Sequence, residues 1–310
     1  MERTTDSQYE DLLREILENG KTKAPIHTLL PENKNSGSIY ALELSGKSLT
    51  YSVANGAPIT PIRNLDDPKL RLWLGAIGEI VGFINGARTL KELMSYGCPE
   101  VFWKNWVTKE KCAKFGLEEG DLGPGSYGPI LTAFPTADGK TFNQVKAVVT
   151  QMQKMPYART QTITTWYPPY ALGDDEQGFP RKVVVAPCHG NFIIFNIFDG
   201  GEMHMVHDQR SADGPVGLVL NLTEWFAFGM MVAYMTGLNF TQYTHQLPNP
   251  QIYDIQIEKV KELLEREPRR LPSLYLHPKR EIKSIFDFRT EDFELEDYDP
   301  HPKMKIPTLI

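Results

Sequence analysis

Residues 182–213, KVVVAPCHGNFIIFNIFDGGEMHMVHDQRSAD, carry the signals that decide the fold class. Runs of β-branched and aromatic residues predict three strands, over residues 182–186, 191–197 and 202–206. The sequence Asp199-Gly200-Gly201 between the last two strands is typical of a tight hairpin. We therefore expect a sheet in which polar residues follow two of the strands.

Helical and strand patterns continue on both sides of this stretch, without a repeat or a domain linker. Apolar residues at helical spacing predict helices over residues 9–18, 70–83, 90–96, 142–155, 222–236 and 256–266. Alternation predicts further strands over residues 38–42, 49–53 and 161–166. Gly, Pro, Asn and Asp predict loops over residues 24–38, 121–128 and 167–181. This mixture is typical of the α+β class, and we expect a single domain over residues 1–310.

The composition limits the class of protein. The 310 residues are 41% hydrophobic and 23% charged, with a net charge of −6, so no basic face is indicated and DNA is not an expected partner. Three cysteines without CxxC spacing argue against a disulfide framework and a cysteine-rich zinc site, and no metal is expected. The charged N-terminus has no apolar signal region, and residues 225–234 are too few to span a membrane. We expect a cytoplasmic protein.

Cys188 is the candidate nucleophile. It follows Pro187 at the end of an apolar run, with His189 beside it and Arg210 about twenty residues later. Lone buried cysteines are usually inert packing residues. A guanidinium near the sulfur favours the thiolate, which is the reactive form. The neighbouring residues therefore favour a reactive cysteine here.

These motifs resemble the central block of the thymidylate synthase family in order and spacing. The matching motifs are Pro187-Cys188-His189, Gln209-Arg210-Ser211-Ala212-Asp213, Gly217-Leu218 with Asn221, and Met235-Thr236-Gly237-Leu238. The similarity is dense over residues 159–310 and thinner over residues 9–106. It implies a large mixed sheet flanked by helices, and a homodimer that pairs sheet to sheet.

The resemblance implies a folate-dependent one-carbon transfer to C5 of a pyrimidine nucleoside monophosphate. In this family a cysteine thiolate adds to C6, and C5 then attacks the methylene of methylene-tetrahydrofolate. By this resemblance Cys188 is the nucleophile, Glu79 organises proton transfer through water, and Tyr127 helps to remove the C5 proton. A lone glutamate in the apolar residues 70–83 would be costly to bury unpaired, so an exposed position is the alternative for Glu79.

The resemblance also assigns residues to the two ligands. The nucleotide residues are Arg210 and Ser211 at the phosphate, Arg159 lent by the partner subunit, Asn221 at the N3 and O4 edge of the base, Tyr253 at the sugar, and His189 and Gln209. The folate residues are the tryptophans Trp103 and Trp106, Asp213 at the pterin, Gly217, and the C-terminal tail with Ile310. An arginine fork can hold two phosphate oxygens, and an amide both donates and accepts, which suits uracil.

Several departures from the family pattern indicate a divergent member. The usual early loop with a phosphate-binding arginine is missing, since residues 24–37 contain no arginine, and Thr160 replaces the second arginine of a pair. Gln251 replaces the histidine that accompanies the sugar-binding tyrosine. Insertions fall at residues 109–119 and 167–181. The phosphate site therefore lacks two of its usual charged contacts, each worth about 1.5–3 kcal/mol.

Three functions fit these residues. The first is methylation of dUMP or a close uridine-type relative, with release of dihydrofolate. The second is a 5-hydroxymethylase acting on dUMP, dCMP or CMP, which would release tetrahydrofolate. The third, of another class, is a catalytically silent homologue that binds a nucleotide or RNA. Trp103 and the C-terminal tail favour hydride transfer, and so the first function.

Overall fold

The structure is a computed structural model that describes residues 3–24 and 40–309. Its α-helices are α1 Gln8–Asn19, α2 Leu72–Ile84, α3 Leu90–Ser95, α4 Glu100–Trp103, α5 Lys109–Ala113, α6 Tyr127–Thr132, α7 Gln144–Lys154, α8 Pro168–Ala171, α9 Leu218–Thr236 and α10 Ile257–Leu264. Single 3-10 turns occur at Val53–Asn55, Asp254–Gln256, Ile285–Asp287 and Thr290–Asp292. The predicted helices are thus confirmed, with ends shifted by a few residues.

Most strands are short, and the four longest, β3, β9, β10 and β12, belong to the main sheet. They are β1 Lys21–Lys23, β2 Ala41–Glu43, β3 Lys47–Ser52, β4 Asp66–Asp67, β5 Leu70–Arg71, β6 Phe134–Pro135, β7 Thr141–Phe142, β8 Thr162–Ile163, β9 Ile193–Phe198, β10 Glu202–Asp208, β11 Ala212–Asp213, β12 Asn239–Leu247, β13 Pro250–Tyr253, β14 Ser273–Leu276 and β15 Phe293–Glu296. The predicted loop at 24–38 and the start of the predicted strand at 38–42 lie largely outside the described residues.

The main sheet has five strands in the order β3-β12-β10-β9-β8. It is mixed, because β10 and β12 are parallel while the other neighbours are antiparallel. The predicted β9–β10 hairpin is confirmed, and Gly200 and Gly201 of its turn have positive φ angles of 84° and 79°. A second sheet has the order β1-β2-β13-β11. The expected α+β class with mixed sheets flanked by helices is confirmed.

The predicted strand at residues 182–186 is wrong. Its backbone bonds to a short helix and a loop instead of a strand: Lys182 N–H donates to Tyr170 O of α8 (3.0 Å), and Val184 N–H donates to Leu122 O (3.1 Å). The predicted strand at 161–166 shortens to β8, because the Gln144 side chain accepts from Thr164 N–H (3.0 Å). Tyr127 and Gly128, predicted as loop, begin α6. Apolar β-branched runs indicate burial, and tertiary contacts decide whether a ladder forms.

The helices α2 and α9 pack against each other, and α9 also lies on β10 and β12. Helix α2 also lies close to the segment after α3, because Gly78 has no side chain and an added Cβ there would lie 2.4 Å from the carbonyl carbon of Gly97. Helix α9 begins one turn earlier than predicted. By length and composition α9 could span a membrane, but 78% of its most apolar window is buried inside the protein, as in a core helix.

The main sheet has one buried and one more exposed face. On β10, Met203, Met205 and His207 are buried on the side of α9, and the residues between them are only half-buried. On β9, Asn196 and Phe198 are exposed. This layout brings Cys188 and Arg210 to the same end of the β9–β10 hairpin, because Cys188 lies before β9 and Arg210 lies after β10.

Candidate active site

Cys188 and Arg210 lie together at the end of the hairpin. The Arg210 Nη2 atom is 3.7 Å from Cys188 Sγ. The guanidinium is held by Pro187 O (2.9 Å) and Ala186 O (3.0 Å), and it lies over the Trp166 ring at 5.0 Å. The arginine that sequence analysis paired with Cys188 is therefore positioned beside its sulfur.

Two opposite effects act on the pKa of the Cys188 thiol. Burial raises the pKa of Cys188, while the positive charges of Arg210 and Arg181 lower it. Burial is the larger effect in the ligand-free protein. The other two cysteines, Cys98 and Cys112, are more deeply buried, and burial also raises their pKa values. Cys188 is therefore the thiol with both access and cationic neighbours.

Tyr127 connects the thiol loop to the aromatic core. Its hydroxyl accepts a hydrogen bond from Cys188 N–H at 2.8 Å. Its ring stacks between Phe83 (4.6 Å) and His189 (4.4 Å). Burial raises the pKa of Tyr127 well above its usual value, so the phenol keeps its proton. The predicted Tyr127 therefore lies against the predicted nucleophile.

Glu79 is buried, at 6% exposure, so the exposed alternative is wrong. Its Oε1 accepts a short hydrogen bond from Trp103 Nε1, and Trp103 lies edge-on to Tyr127. Burial raises the Glu79 pKa to about 7, and the Trp103 bond only partly offsets this. A carboxyl that titrates near neutral pH suits proton transfer in both directions.

A directed chain of hydrogen bonds fixes the Asn221 amide. Gln209 Nε2 donates to Ser211 O (3.1 Å), which can only accept, and to Asn221 Oδ1 (2.9 Å). Asn221 Nδ2 then donates to Glu224 Oε2 (3.2 Å). At the other end, Gln209 Oε1 accepts from His245 Nε2 (2.8 Å). Among the described residues, one lone pair of Asn221 Oδ1 and one N–H of Asn221 Nδ2 have no partner.

Three buried histidines surround this chain as neutral rings. Burial lowers the pKa values of His189 and His245 to about 3, and it lowers that of His207 well below its usual value. His189 Nδ1 accepts from Trp225 Nε1 at 2.9 Å. Gly190, with φ +69°, turns the chain here, and an added Cβ would lie 2.5 Å from the Trp225 ring. The predicted His189 therefore acts as an uncharged packing and acceptor group.

The other predicted nucleotide-binding residues lie farther apart from one another. The Ser211 backbone oxygen takes part in the amide chain described above, and Tyr253 Oη accepts from Gln251 Nε2 at 2.8 Å. Gln251 thus accompanies Tyr253 at the position expected for a histidine. Arg159 is exposed before β8, and within the described residues the structure records no contact between it and Cys188 or Arg210.

The predicted folate residues divide into two groups. Trp103 joins the Glu79 cluster, whereas Trp106 is half-buried under Lys111 Nζ, 5.0 Å from its ring centroid. Asp213 accepts from Gln256 Nε2 (3.1 Å) and Val216 N–H (3.2 Å), and burial raises its pKa to about 6.

Gln256 also holds the C-terminal tail. Its Nε2 donates to Pro307 O at 3.0 Å, and Leu309 is 5% exposed. The tail is therefore packed close to Asp213, and Gly217 lies directly before α9. The predicted Ile310 lies outside the described residues. Across the described ranges, no group of three His, Cys, Asp or Glu side chains comes together in a metal-binding arrangement.

Sequence analysis missed Glu224 and Arg181. Glu224 is fully buried, its Oε1 has no hydrogen-bond partner among the described residues, and its Oε2 lies 3.8 Å from His189 Nδ1. It is the sole charged residue of α9, the same signal that marked Glu79 in α2. Arg181 ends a segment interpreted as an inserted loop, and sequence carries no signal for its position.

A known protein family matches nearly the whole chain. The family model described as "Thymidylate synthase" matches residues 7–310 of this chain. The match includes Cys188, Arg210, Glu79 and Tyr127, and it spans both segments, 109–119 and 167–181, that depart from the family pattern.

Proposed function

This chain belongs to the thymidylate synthase family, and from that premise we propose that it methylates C5 of dUMP or a close uridine-type monophosphate. The family carries out folate-dependent one-carbon transfer to pyrimidine monophosphates, with methylene-tetrahydrofolate as co-substrate, and the chain is a transferase of this kind. The proposal adds the base, the methyl product and the release of dihydrofolate. The covalent chemistry rests on the placement of Arg210 Nη2 3.7 Å from Cys188 Sγ, and the choice of uracil rests on the fixed Asn221 amide.

In the proposed reaction the Cys188 thiolate forms a bond to C6, and the C5–C6 π electrons move towards C5 and O4. C5 then bonds to the methylene carbon of the folate as a carbon–nitrogen bond opens. The C5 proton leaves and the folate amine is eliminated, which gives an exocyclic methylene. Hydride from the tetrahydropterin reduces that carbon as the C6–S bond breaks. Methylated nucleotide and dihydrofolate are released.

The residues around Cys188 support distinct steps. Tyr127 holds the backbone of Cys188 through its hydroxyl and lies close enough to assist loss of the C5 proton. Glu79, with a pKa of about 7, can pass protons to and from the base through water. Arg210 and Ser211 would bind the phosphate, and Tyr253 the sugar.

The locked Asn221 amide supports uracil as the base. Its free Oδ1 lone pair can accept from uracil N3–H, and its free Nδ2–H can donate to uracil O4. Cytosine presents an acceptor at N3 and a donor at N4, so both contacts would be mismatched. Reversing the amide would break its bonds to Gln209 and Glu224. Burial of unpaired polar groups makes that reversal costly.

The packed tail supports methyl over hydroxymethyl as the product. Hydride transfer requires that water be kept from the exocyclic methylene, because water would capture it as hydroxymethyl. The tail packs Ile306 and Leu309 into the protein, each 5% exposed, and Gln256 ties Pro307 to Asp213. Trp103 adds a wall beside Glu79. The competing function is the hydroxymethylase, which would use Cys188, Glu79 and Arg210 in the same early steps.

We also propose a homodimer in which Arg159 serves the partner's phosphate site. The main sheet buries one face against α9, and its other face carries half-buried and exposed residues, including Phe198 at 47% exposure. Pairing of two such faces would cover this surface. Arg159 is exposed next to β8, the edge strand of the same sheet. It is thus free to reach across such an interface.

A product assay tests this function. Purified protein is incubated with methylene-tetrahydrofolate and, separately, dUMP, UMP, dCMP or CMP, while dihydrofolate is followed by absorbance and the nucleotide by mass spectrometry. We expect a methylated uridine-type nucleotide and an equal amount of dihydrofolate. A hydroxymethyl product without dihydrofolate would establish the hydroxymethylase instead. Cys188→Ala should abolish either product, and Cys112→Ala, a buried cysteine in α5, is the matched control.

The silent nucleotide- or RNA-binding homologue gives a different pattern. Such a protein would form no product with any of the four nucleotides, and its ligand binding would survive Cys188→Ala. Turnover that persists in Cys188→Ala would contradict the covalent mechanism itself.

A further inference from the structure

Arg181 lies on the same short segment as the nucleophile. Its Nε donates to Val183 O at 3.0 Å and its Nη2 to Val184 O at 2.9 Å. Arg210 holds the next carbonyls of that segment, those of Ala186 and Pro187. Two guanidinium groups therefore hold the backbone that leads into Cys188.

An aromatic ring from another segment supports Arg181. Its guanidinium lies 4.8 Å from the centroid of the Phe115 ring, in a cation–π contact. Phe115 belongs to residues 109–119 and Arg181 to residues 167–181, the two segments that depart from the family pattern. The Arg181–Phe115 contact therefore joins the two insertions beside the active site.

The backbone around Arg181 is fixed on both sides. Lys182 N–H donates to Tyr170 O (3.0 Å), and Lys182 O accepts from Gly125 N–H (3.0 Å). Gly125 lies two residues before Tyr127, whose hydroxyl bonds the Cys188 backbone. The side chain of Arg181 is consequently held in place relative to the Cys188 loop.

The charges of these groups interact. Burial raises the pKa of Cys188, and the positive charges of Arg210 and Arg181 lower it. Burial lowers the pKa of Arg181, and repulsion from Arg210 lowers it further. Two like charges that repel each other are unfavourable by themselves. A nearby anion would relieve this repulsion, and Cys188 Sγ, which lies 3.7 Å from Arg210 Nη2, becomes such an anion as the thiolate.

We propose that Arg181 is a positioning residue of the reaction, which supplies a second positive charge that stabilises the Cys188 thiolate together with Arg210. The proposal rests on the proposed function only in taking Cys188 as the nucleophile. It gives a role to an inserted segment in a site that has lost arginines elsewhere. The family pattern provides one guanidinium at the sulfur, and the insertion adds another that holds the backbone leading to Cys188.

Alkylation of the free protein tests this without any substrate. Iodoacetamide forms a carbon–sulfur bond with the thiolate and releases iodide, so its rate follows the thiolate fraction. The rate is measured against pH, and peptide mass mapping assigns it to Cys188 rather than to the buried Cys98 or Cys112. For Arg181→Gln we expect the rate profile to shift by about half to one pH unit to the alkaline side, and the rate at pH 7 to fall about three- to tenfold.

Two further variants separate charge from structure. Arg181→Lys keeps the positive charge and should restore most of the rate. Lys182→Gln removes the neighbouring cation, which is exposed and lies over the Tyr170 ring, and should leave the profile unchanged. If Arg181→Gln fails to fold, Arg181→Met, which keeps the apolar length of the side chain, replaces it. A wild-type profile in the folded variant would overturn the proposal, whether or not the protein turns over nucleotide.

Discussion

Two glutamates are the only charged residues of the two central helices. Glu79 and Glu224 each lie in an otherwise uncharged helix, α2 and α9. Burial raises both pKa values, and the charge of Glu79 further raises that of Glu224. A carboxyl group that keeps its proton near neutral pH can donate as well as accept. Glu224 lies next to Asn221, for which we propose contact with the base, and so provides proton capacity there.

Stability should consequently fall as pH rises above neutrality. The folded protein keeps a proton on Glu224 that the unfolded chain releases near pH 4.5, so the free energy of unfolding decreases between that pH and the folded pKa. The slope reaches about 1.4 kcal/mol per pH unit for one group. We expect Glu224 to make the Tm lower at pH 8.5 than at pH 6.5, while the three neutral histidines, whose unfolded-state pKa is about 6.5, offset part of this change.

Glu224→Gln is the variant that isolates this effect. It keeps the size of the side chain and an oxygen for Asn221, but it cannot ionise. Thermal unfolding followed by circular dichroism should show a smaller decrease in Tm between pH 6.5 and 8.5 than in the wild type. Equal decreases in both proteins would mean that Glu224 is not the group responsible.

At the level of residues, sequence led to Cys188, Arg210, Tyr127 and Glu79, which the structure brings into one cluster. Motif spacing made it possible to pair Cys188 with Arg210, because these two residues flank the same hairpin. Glu79 and Tyr127 were assigned by the family resemblance. Arg181 could not be found in this way, because its position depends on loop contacts distant in sequence, such as Phe115. Glu224 could have been found, since a lone acid in an apolar helix is visible in the sequence.

At the level of elements, the approach of α2 to residues 97–98 decides where Glu79 lies. Gly78 makes that approach possible, because any side chain there would collide with the backbone of Gly97 and Cys98. Gly82, one turn later, faces only the tip of the Leu93 side chain, 2.8 Å from an added Cβ. The two glycines therefore differ in how well their surroundings can adjust.

Gly78→Ala should destabilise the protein by about 1–3 kcal/mol, because an added methyl overpacks a backbone contact. Gly82→Ala is the matched control in the same helix. It should cost less, since Leu93 can move and alanine favours the helix by about 0.5–1 kcal/mol. Urea unfolding measures both. A Gly82→Ala variant as unstable as Gly78→Ala would refute this account of the helix contact.

The elements were predictable to the extent that their pattern is local. Amphipathic and apolar helices were placed within a few residues, and so was the β9–β10 hairpin, because its turn residues have a fixed requirement for positive φ. The strand predicted at residues 182–186 was wrong because a β-branched run indicates burial and not strand pairing. Its backbone N–H groups donate to the carbonyl oxygens of Leu122 and Tyr170 instead of to a neighbouring strand. A local residue pattern does not show which hydrogen-bond partners come from distant parts of the sequence.

At the scale of the whole molecule, we propose a single domain that acts as a dimer. Buried side chains from α1 to Ile306 near the C-terminus form one contiguous core among the described residues. Chains that share one core unfold cooperatively as a rule. The more exposed face of the main sheet is the surface on which we expect the second subunit.

A mixing experiment tests the shared site. Cys188→Ala and Arg159→Gln should each have little or no activity as homodimers. When the two are unfolded together and refolded, half of the dimers are mixed, and each mixed dimer contains one site with both residues intact. We expect about a quarter of wild-type activity in the mixture. Activity no higher than the sum of the parents would exclude a site shared in this way.

The contact between Phe115 and Arg181 has a consequence for the history of the chain. Phe115 without Arg181 has no guanidinium to stack on, and Arg181 without Phe115 loses the ring that helps to fix its charge near Cys188. The two insertions are therefore expected to have been gained, kept and lost together. Among descendants of the same ancestor, an aromatic residue at position 115 and an arginine at position 181 should covary.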